Sequence, residues 1–218
     1  MDILALHQSE DLSVVVHEDL KKLVRSKGGR IALALPGGRS ASLLIHAILM
    51  LEPAELNRID LYLVDERLEG ELNLDTLLAA GLGSAIEQGV FLSSQLHIPA
   101  VGCTLSHIKF DRVYLGIGED GHFASLFPGS WPEQTEEQVI LVEESPKPPK
   151  RRATLSYTGF LQLAHHCPVY LLFLGKAKQE ALARLTGGTE GATTLPCAFF
   201  RDQHFDATIV TDIKEGSA

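Results

Sequence analysis

The stretch Leu115 to Gly129, LGIGEDGHFASLFPG, sets three glycines, an aspartate and a histidine within a few residues of one another. Gly116, Gly118 and Gly121 spell G-x-G-x-x-G, the spacing that brings the backbone amides of a strand-to-helix turn against a dinucleotide pyrophosphate. Arg112 to Leu115 reads as the strand before such a turn, and Glu143 follows about 20 positions later, where an acid would bind the ribose. A dinucleotide mount needs a full helix after the third glycine, and Pro128, Gly129 and Pro132 leave space for about two turns. His122 is therefore the residue to explain. At the start of a short helix the dipole disfavours imidazolium, and a neutral ring can accept a proton. With Asp120 two residues away to orient it, His122 has the character of a general base acting on water or a sugar hydroxyl. A polar surface histidine or a helix cap is the plain alternative. Asp120 itself and Glu66 are the next carboxylates to consider as a base.

Gly37-Gly38-Arg39-Ser40 follows an apolar run and opens a helical pattern. Free amides, the helix dipole, a hydroxyl and a guanidinium can surround a phosphate there. The Lys-Ser/Thr ending of a nucleotide-triphosphate loop is missing, so a phosphomonoester fits better than ATP. An ordinary tight turn is the competing reading. Lys178 falls on the first turn of another helical pattern, where a cation opposes the dipole unless an anion is also bound. The chain has no G-x-S-x-G elbow and no H-E-x-x-H helix, which leaves acyl-enzyme and zinc hydrolysis unsupported. Cys103, Cys167 and Cys197 are odd in number and widely separated. They fit buried thiols in a reducing compartment, and His165-His166-Cys167 has no second half with which to hold a metal.

These residues need a frame. Apolar residues at Leu12, Val15, Val16, Leu20, Leu23 and Val24 recur with helical spacing up to Gly28-Gly29. Ile31 to Leu35 reads as a strand, and Ser40 can cap a helix running to about Met50. Ile59 to Val64, Arg112 to Ile117, Val169 to Leu174 and Ala207 to Thr211 are further strands. Helical patterns at Leu72 to Leu82, Tyr157 to His165 and Lys176 to Leu185 alternate with them. This alternation predicts an α/β fold, a single domain with a largely parallel, Rossmann-like sheet covered by helices. In such sheets ligands sit beyond the carboxyl ends of the strands. The turns on that edge bring Gly37 to Ser40, Asp65-Glu66-Arg67, Asp120-Gly121-His122 and Lys178 into one site.

With 45% hydrophobic and 22% charged residues the chain can bury a sizeable core. Its net charge of -9 argues against nucleic acid or an anionic membrane as partner, since both require a broad basic surface. No apolar run is long enough to span a bilayer, and the first residues lack the basic start of a secretory signal, so a cytoplasmic location is expected. The segment Ser145-Pro146-Lys147-Pro148-Pro149-Lys150-Arg151-Arg152 is the one compositional oddity. Its prolines hold an extended shape while its cations project, and a solvated basic loop is the plain reading.

Taken in order, ALPGGRSAS, VDER, LGIGEDGHFASLFPG, SPKPPKRRAT, LGKAKQEAL and LPC resemble the signature of the 6-phosphogluconolactonases over nearly the whole chain. The resemblance implies hydrolysis of 6-phospho-D-glucono-1,5-lactone to 6-phosphogluconate in the oxidative pentose phosphate pathway, without metal or organic cofactor. It implies His122 as the base and Arg67 as the group stabilising charge on the carbonyl or ring oxygen. Asp65 and Asp120 would hold hydroxyls, the histidine or the arginine. Gly37, Gly38, Arg39, Ser40, Arg152 and Lys178 match the family's phosphate-binding positions. The related glucosamine-6-phosphate deaminases typically read GHIAFNEP in the central stretch, and Phe127 stands here in place of their glutamate.

The chain departs from the pattern in three places. Pro36 replaces a usual serine. The loop after Arg67 is shortened, leaving Asn73 as the one residue able to match a Ser-Asn pair. The segment from Pro99 to Arg112 lacks a helix that many relatives insert. The competing functions are a non-catalytic sugar-phosphate binder, an amino-sugar-phosphate isomerase and a nucleotide-dependent enzyme.

Overall fold

The computed structural model describes residues 1–105 and 107–214. The strands are β1 (Asp2–Ala5), β2 (Ile31–Leu35), β3 (Ile59–Leu63), β4 (Asp65–Arg67), β5 (Leu96–His97), β6 (Arg112–Gly116), β7 (Val139–Val142), β8 (Arg152–Leu155), β9 (Val169–Phe173) and β10 (Ala207–Thr211). The α-helices are α1 (Asp11–Ser26), α2 (Arg39–Leu49), α3 (Pro53–Leu56), α4 (Asn73–Leu77), α5 (Gly83–Glu87), α6 (Tyr157–Ala164), α7 (Gln179–Gly187) and α8 (Ala198–Asp202).

Seven strands form one sheet in the order β1-β10-β9-β6-β2-β3-β5, every neighbouring pair parallel. Its strands read as apolar runs because both faces are covered. Successive residues serve opposite faces: Leu33 packs with Leu20, Leu44 and Ile45 from α1 and α2, whereas Ala34 joins Phe160, Phe199 and Phe200 on the other side. From β2 the chain builds outward to β3 and β5, then returns to lay β6 on the opposite flank of β2. The strand order thus reverses between β2 and β6, and a doubly wound sheet opens a crevice at such a point.

Four expectations are corrected. Asp65-Glu66-Arg67 is not a turn but the strand β4 of a second, antiparallel sheet, β4-β8-β7, in which Arg67 pairs with Arg152 and Asp65 with Thr154. The proline-rich segment hid this partner strand from a pattern search. Ser40 does not cap α2. Gly38, at φ 72°, is the N-cap, and Ser40 lies inside the first turn without a capping bond. No helix follows Gly121: the chain makes a tight loop closed by a bridge between Phe123 and Leu126. The helix-dipole argument for His122 therefore falls, and so does the mount for a dinucleotide. The pattern from Leu72 to Leu82 is also broken up, into α4 and a π turn at Leu78–Leu82 kinked at Gly81.

Candidate active site

Beyond the carboxyl ends of β2, β6 and β9 lies a cavity of about 380 Å3. Gly37, Gly38, Arg39, Ser40, Asp65, Arg67, His122, Arg152 and Lys178 all line it, with Asn73 and Lys147. Asp120 is not on the wall; it stands behind His122. The crevice between β2 and β6 thus gathers the residues grouped from the strand ends, and the antiparallel sheet adds Arg67 and Arg152 from the side.

The glycines of the central stretch seat the histidine. A Cβ on Gly118 would fall inside the His122 ring, and one on Gly121, at φ +82°, would overlap Leu195. The Gly118 amide donates to the His122 carbonyl at 2.8 Å, and the Gly121 amide donates to the Gly118 carbonyl at 3.0 Å. The G-x-G-x-x-G spacing is thus accounted for by folding a loop back on one imidazole.

His122 Nδ1 bonds Asp120 Oδ1, and the same carboxylate accepts the His122 amide at 3.3 Å. Burial works against ionisation of Asp120, but the hydrogen bond and charge of His122 outweigh it and hold the carboxyl well below the usual range. An ionised Asp120 accepts the hydrogen bond from Nδ1–H and leaves Nε2 as the basic nitrogen. Phe127 packs on the ring with centroids 4.7 Å apart, giving the imidazole an apolar back wall.

Asp65 is buried at the cavity wall. Burial raises its pKa, opposed by the Ser125 hydroxyl, which donates to it at 2.6 Å, and by the charge of Arg152. Asn73 Nδ2 donates to the Asp65 carbonyl at 3.0 Å and to its carboxylate at 3.2 Å, tying the shortened loop to β4. Glu66 cannot act as a base in this arrangement: its carboxylate accepts the amides of Arg67 and Asn73 at 2.7 Å and of Leu74 at 2.8 Å. Arg67 spends Nη1 on the Glu71 carbonyl at 2.9 Å, while its Nε is enclosed without a partner. Arg67 and Arg152 face each other across the antiparallel pair. Like charges so placed are unfavourable unless an anion lies between or beside them.

Arg39, Lys147 and Lys178 line the same cavity. Burial lowers the pKa of Lys178; Glu119 opposes this, and Lys147 and Arg39 add to it. Lys147, on the same cavity wall, also adds its charge to the lowering of the Asp120 pKa. The sequence pointed to the segment that carries Lys147 but not to this side chain. Its signal was the acidic pair Glu143-Glu144 just upstream, which claims two of the segment's four cations: Glu144 pairs with Lys150 at 2.6 Å and Glu143 with Arg151 at 3.1 Å.

Among the described residues no cluster of three His, Cys, Asp or Glu side chains could hold a metal ion. His165 Nε2 bonds the Gln203 carbonyl at 3.0 Å, and the three cysteines are unpaired. Cys167 and Cys197 are buried as expected, whereas Cys103 is exposed.

A family model described as glucosamine-6-phosphate isomerases/6-phosphogluconolactonase matches residues 91–210. The chloroplastic 6-phosphogluconolactonase 3 of Arabidopsis thaliana is 41% identical over 75 residues, 34% of this chain and 22% of that protein. The 6-phosphogluconolactonase of Mycobacterium tuberculosis is 26% identical over 193 residues, 77% of this chain and 76% of that protein. The matched region therefore spans less than a quarter of the plant relative but most of the mycobacterial one. Among solved structures, 6-phosphogluconolactonase from Leishmania guyanensis superposes with a TM-score of 0.77 at 20% identity, covering 100% of this chain and 98% of that one. A monomeric glucosamine-6-phosphate deaminase gives 0.72 at 18% identity, with 97% of each chain covered. At such identities the structures establish the fold, and both branches share it. The match of the family model over more than half of the 218 residues makes this chain a member of the glucosamine-6-phosphate isomerase/6-phosphogluconolactonase family.

Proposed function

We propose that the chain hydrolyses 6-phospho-D-glucono-1,5-lactone to 6-phosphogluconate by metal-independent general-base catalysis. The observation that carries this reading is a single cavity lined by His122, with Nε2 uncommitted and Nδ1 bonded to Asp120, together with the cations Arg39, Arg67, Lys147, Arg152 and Lys178. Arg39 and Lys178 form one group with the Gly37-Gly38 turn and Ser40, and they suit the phosphate. Arg67, beside Asp65, forms the other and suits the lactone carbonyl. A sugar phosphate lying between them presents its C1 to the histidine.

In this mechanism His122 Nε2 takes a proton from water as the water oxygen attacks C1. The carbonyl electron pair moves onto oxygen, and Arg67 stabilises the resulting oxyanion with its guanidinium. Collapse expels the ring oxygen, which takes the proton back from the imidazolium. The acid formed loses its own proton to solvent. A lactone is an activated ester, so a base, a charge for the oxyanion and an anchor for the phosphate are sufficient. Asp120 holds the Nδ1–H tautomer and stabilises the imidazolium that forms.

Phe127 favours the lactonase branch, since an apolar ring against His122 stands where the deaminases carry a glutamate. Glucosamine 6-phosphate is accordingly expected to release no ammonia at a rate comparable with lactone hydrolysis, which a direct ammonia assay checks. A reducing, cytoplasmic setting belongs to the same proposal.

The deciding experiment is a coupled assay on freshly generated 6-phosphogluconolactone, corrected for spontaneous hydrolysis; a rate no faster than the uncatalysed one leaves a sugar-phosphate binder. Lys178→Ala tests the orientation of the substrate. Loss of a charge-assisted hydrogen bond, about 1.5 to 3 kcal/mol, raises KM for the phosphorylated lactone about ten- to a hundredfold. The unphosphorylated lactone should be affected far less. Equal effects on both would remove Lys178 from the phosphate end.

A further inference from the structure

Ser125 shares the loop of His122 and has no part in the mechanism above. It is buried and stands off the cavity wall. Its hydroxyl proton goes to Asp65 Oδ2 at 2.6 Å, and its amide donates to Thr154 Oγ1 at 3.2 Å. Asp65 on β4 and Thr154 on β8 lie directly opposite each other in the antiparallel sheet, so Ser125 grips both members of one pair. Two residues along each strand, the next pair on the same face is Arg67 and Arg152, the two cations that this sheet brings to the cavity. The loop that carries the base is thus docked one step from the guanidinium assigned to the oxyanion. Between His122 and Ser125 the chain makes a tight turn, closed by the Leu126 amide donating to the Phe123 carbonyl at 2.9 Å, with the Phe123 ring buried. A shift of Ser125 is therefore passed on to the imidazole. Asp65 is fixed in turn, because its Oδ1 accepts Asn73 Nδ2 at 3.2 Å and both carboxylate oxygens are then engaged.

We infer that Ser125 is a positioning residue for the hydrolysis: by gripping the Asp65–Thr154 pair it sets His122 in register with Arg67. The inference rests on the proposed reaction and adds to it the group that aligns the base with the oxyanion donor. Ser125 is not a nucleophile, since its proton is held by a buried carboxylate and its oxygen is turned away from the cavity. Removing the hydroxyl leaves His122, Asp120 and Arg67 in place and frees the loop on its β4 side. What is lost is alignment, and a displacement of about 1 Å can cost about a hundredfold in rate. Arg39 and Lys178 stand on other elements, so the hold on the substrate is expected to be little changed.

The test joins steady-state kinetics on 6-phosphogluconolactone with amide hydrogen exchange, both on the full chain. Ser125→Ala is expected to lower kcat about 10- to 100-fold while KM stays within about twofold of the wild type. Amide exchange should quicken from Asp120 to Phe127 and stay unchanged in the parallel sheet. Ser125→Cys, close in volume and a weak donor, should fall between alanine and the wild type. Thr154→Val removes the other anchor and should lower kcat in the same sense. Combined with Ser125→Ala it should cost less than the product of the two, because both loosen one dock. A Ser125→Ala protein with wild-type kcat would overturn the inference, as would a rise in KM at unchanged kcat. An acyl group trapped on Ser125 would replace positioning by covalent catalysis. A wild type without lactonase activity would sink the proposed reaction, and exchange then decides alone: a loop no looser in Ser125→Ala overturns the docking role, and a loosened one keeps Ser125 as the residue that seats His122.

Discussion

His122→Ala and His122→Asn are expected to lower kcat on 6-phosphogluconolactone by about 100- to 10,000-fold, the usual range for a lost general base. Binding of 6-phosphogluconate should persist, because the cations that hold the phosphate stand on separate elements. The fold should survive, since the ring occupies a cavity wall and the loop beneath it is held by backbone bonds of Gly118 and Gly121. In the wild type, kcat should fall as the pH is lowered enough to protonate the imidazole. Asp120, held well below the usual carboxylate range, stays ionised through that titration and adds no second limb. The slow variant, measured after subtraction of the uncatalysed rate, should lose the acid limb. A folded His122→Ala protein with near wild-type kcat would rule out the base assignment and make Asp120 the next group to test. Glu66 drops from contention because three backbone amides already hold it.

Arg67→Ala should cost kcat about 100- to 1,000-fold, as expected when a preorganised donor to a developing oxyanion is removed. The argument is geometric. Arg67 is anchored through Nη1 to the Glu71 carbonyl, its Nε is buried without a partner, and the residue lines the same cavity as His122. A group that meets charge only as it develops should change kcat and leave KM nearly unmoved. Arg67→Lys keeps the charge but not the planar fork, so it should recover only part of the rate. The measurement is steady-state kinetics with both constants resolved. A large rise in KM at unchanged kcat would move Arg67 to the binding side.

The parallel sheet was legible because its strands are short apolar runs ending in glycine or polar residues. The same regularity pointed to the edge where the site lies. The β4-β8-β7 sheet was not legible, because the polar run Asp65-Glu66-Arg67 looks like a turn unless its partner strand is known. Arg152 lies directly behind three prolines, where local pattern says loop. The loop at His122 misled differently. Its glycines carry the spacing of a phosphate mount, but the need they meet is steric: space for a ring folded back against its own backbone. Strand order could not be read either, so the reversal between β2 and β6, which opens the crevice, emerges only from the three-dimensional pairing. The inward choice of Lys147 over Lys150 and Arg151 depends on two glutamates whose distance from the cations is set by that pairing.

The cavity collects Arg39, Arg67, Lys147, Arg152 and Lys178 in a chain whose net charge is -9. An arriving sugar phosphate therefore crosses a repulsive outer field before it meets an attractive pocket, and counter-ions in solution screen the first more than the second. Ring opening adds a carboxylate to the molecule held there. The product thus leaves with one more negative charge than the substrate brought in, and the acidic exterior pushes harder on the departing molecule than on the entering one. Acidity that looks unsuited to binding a phosphate can in this way favour turnover, by helping to clear the site after each reaction.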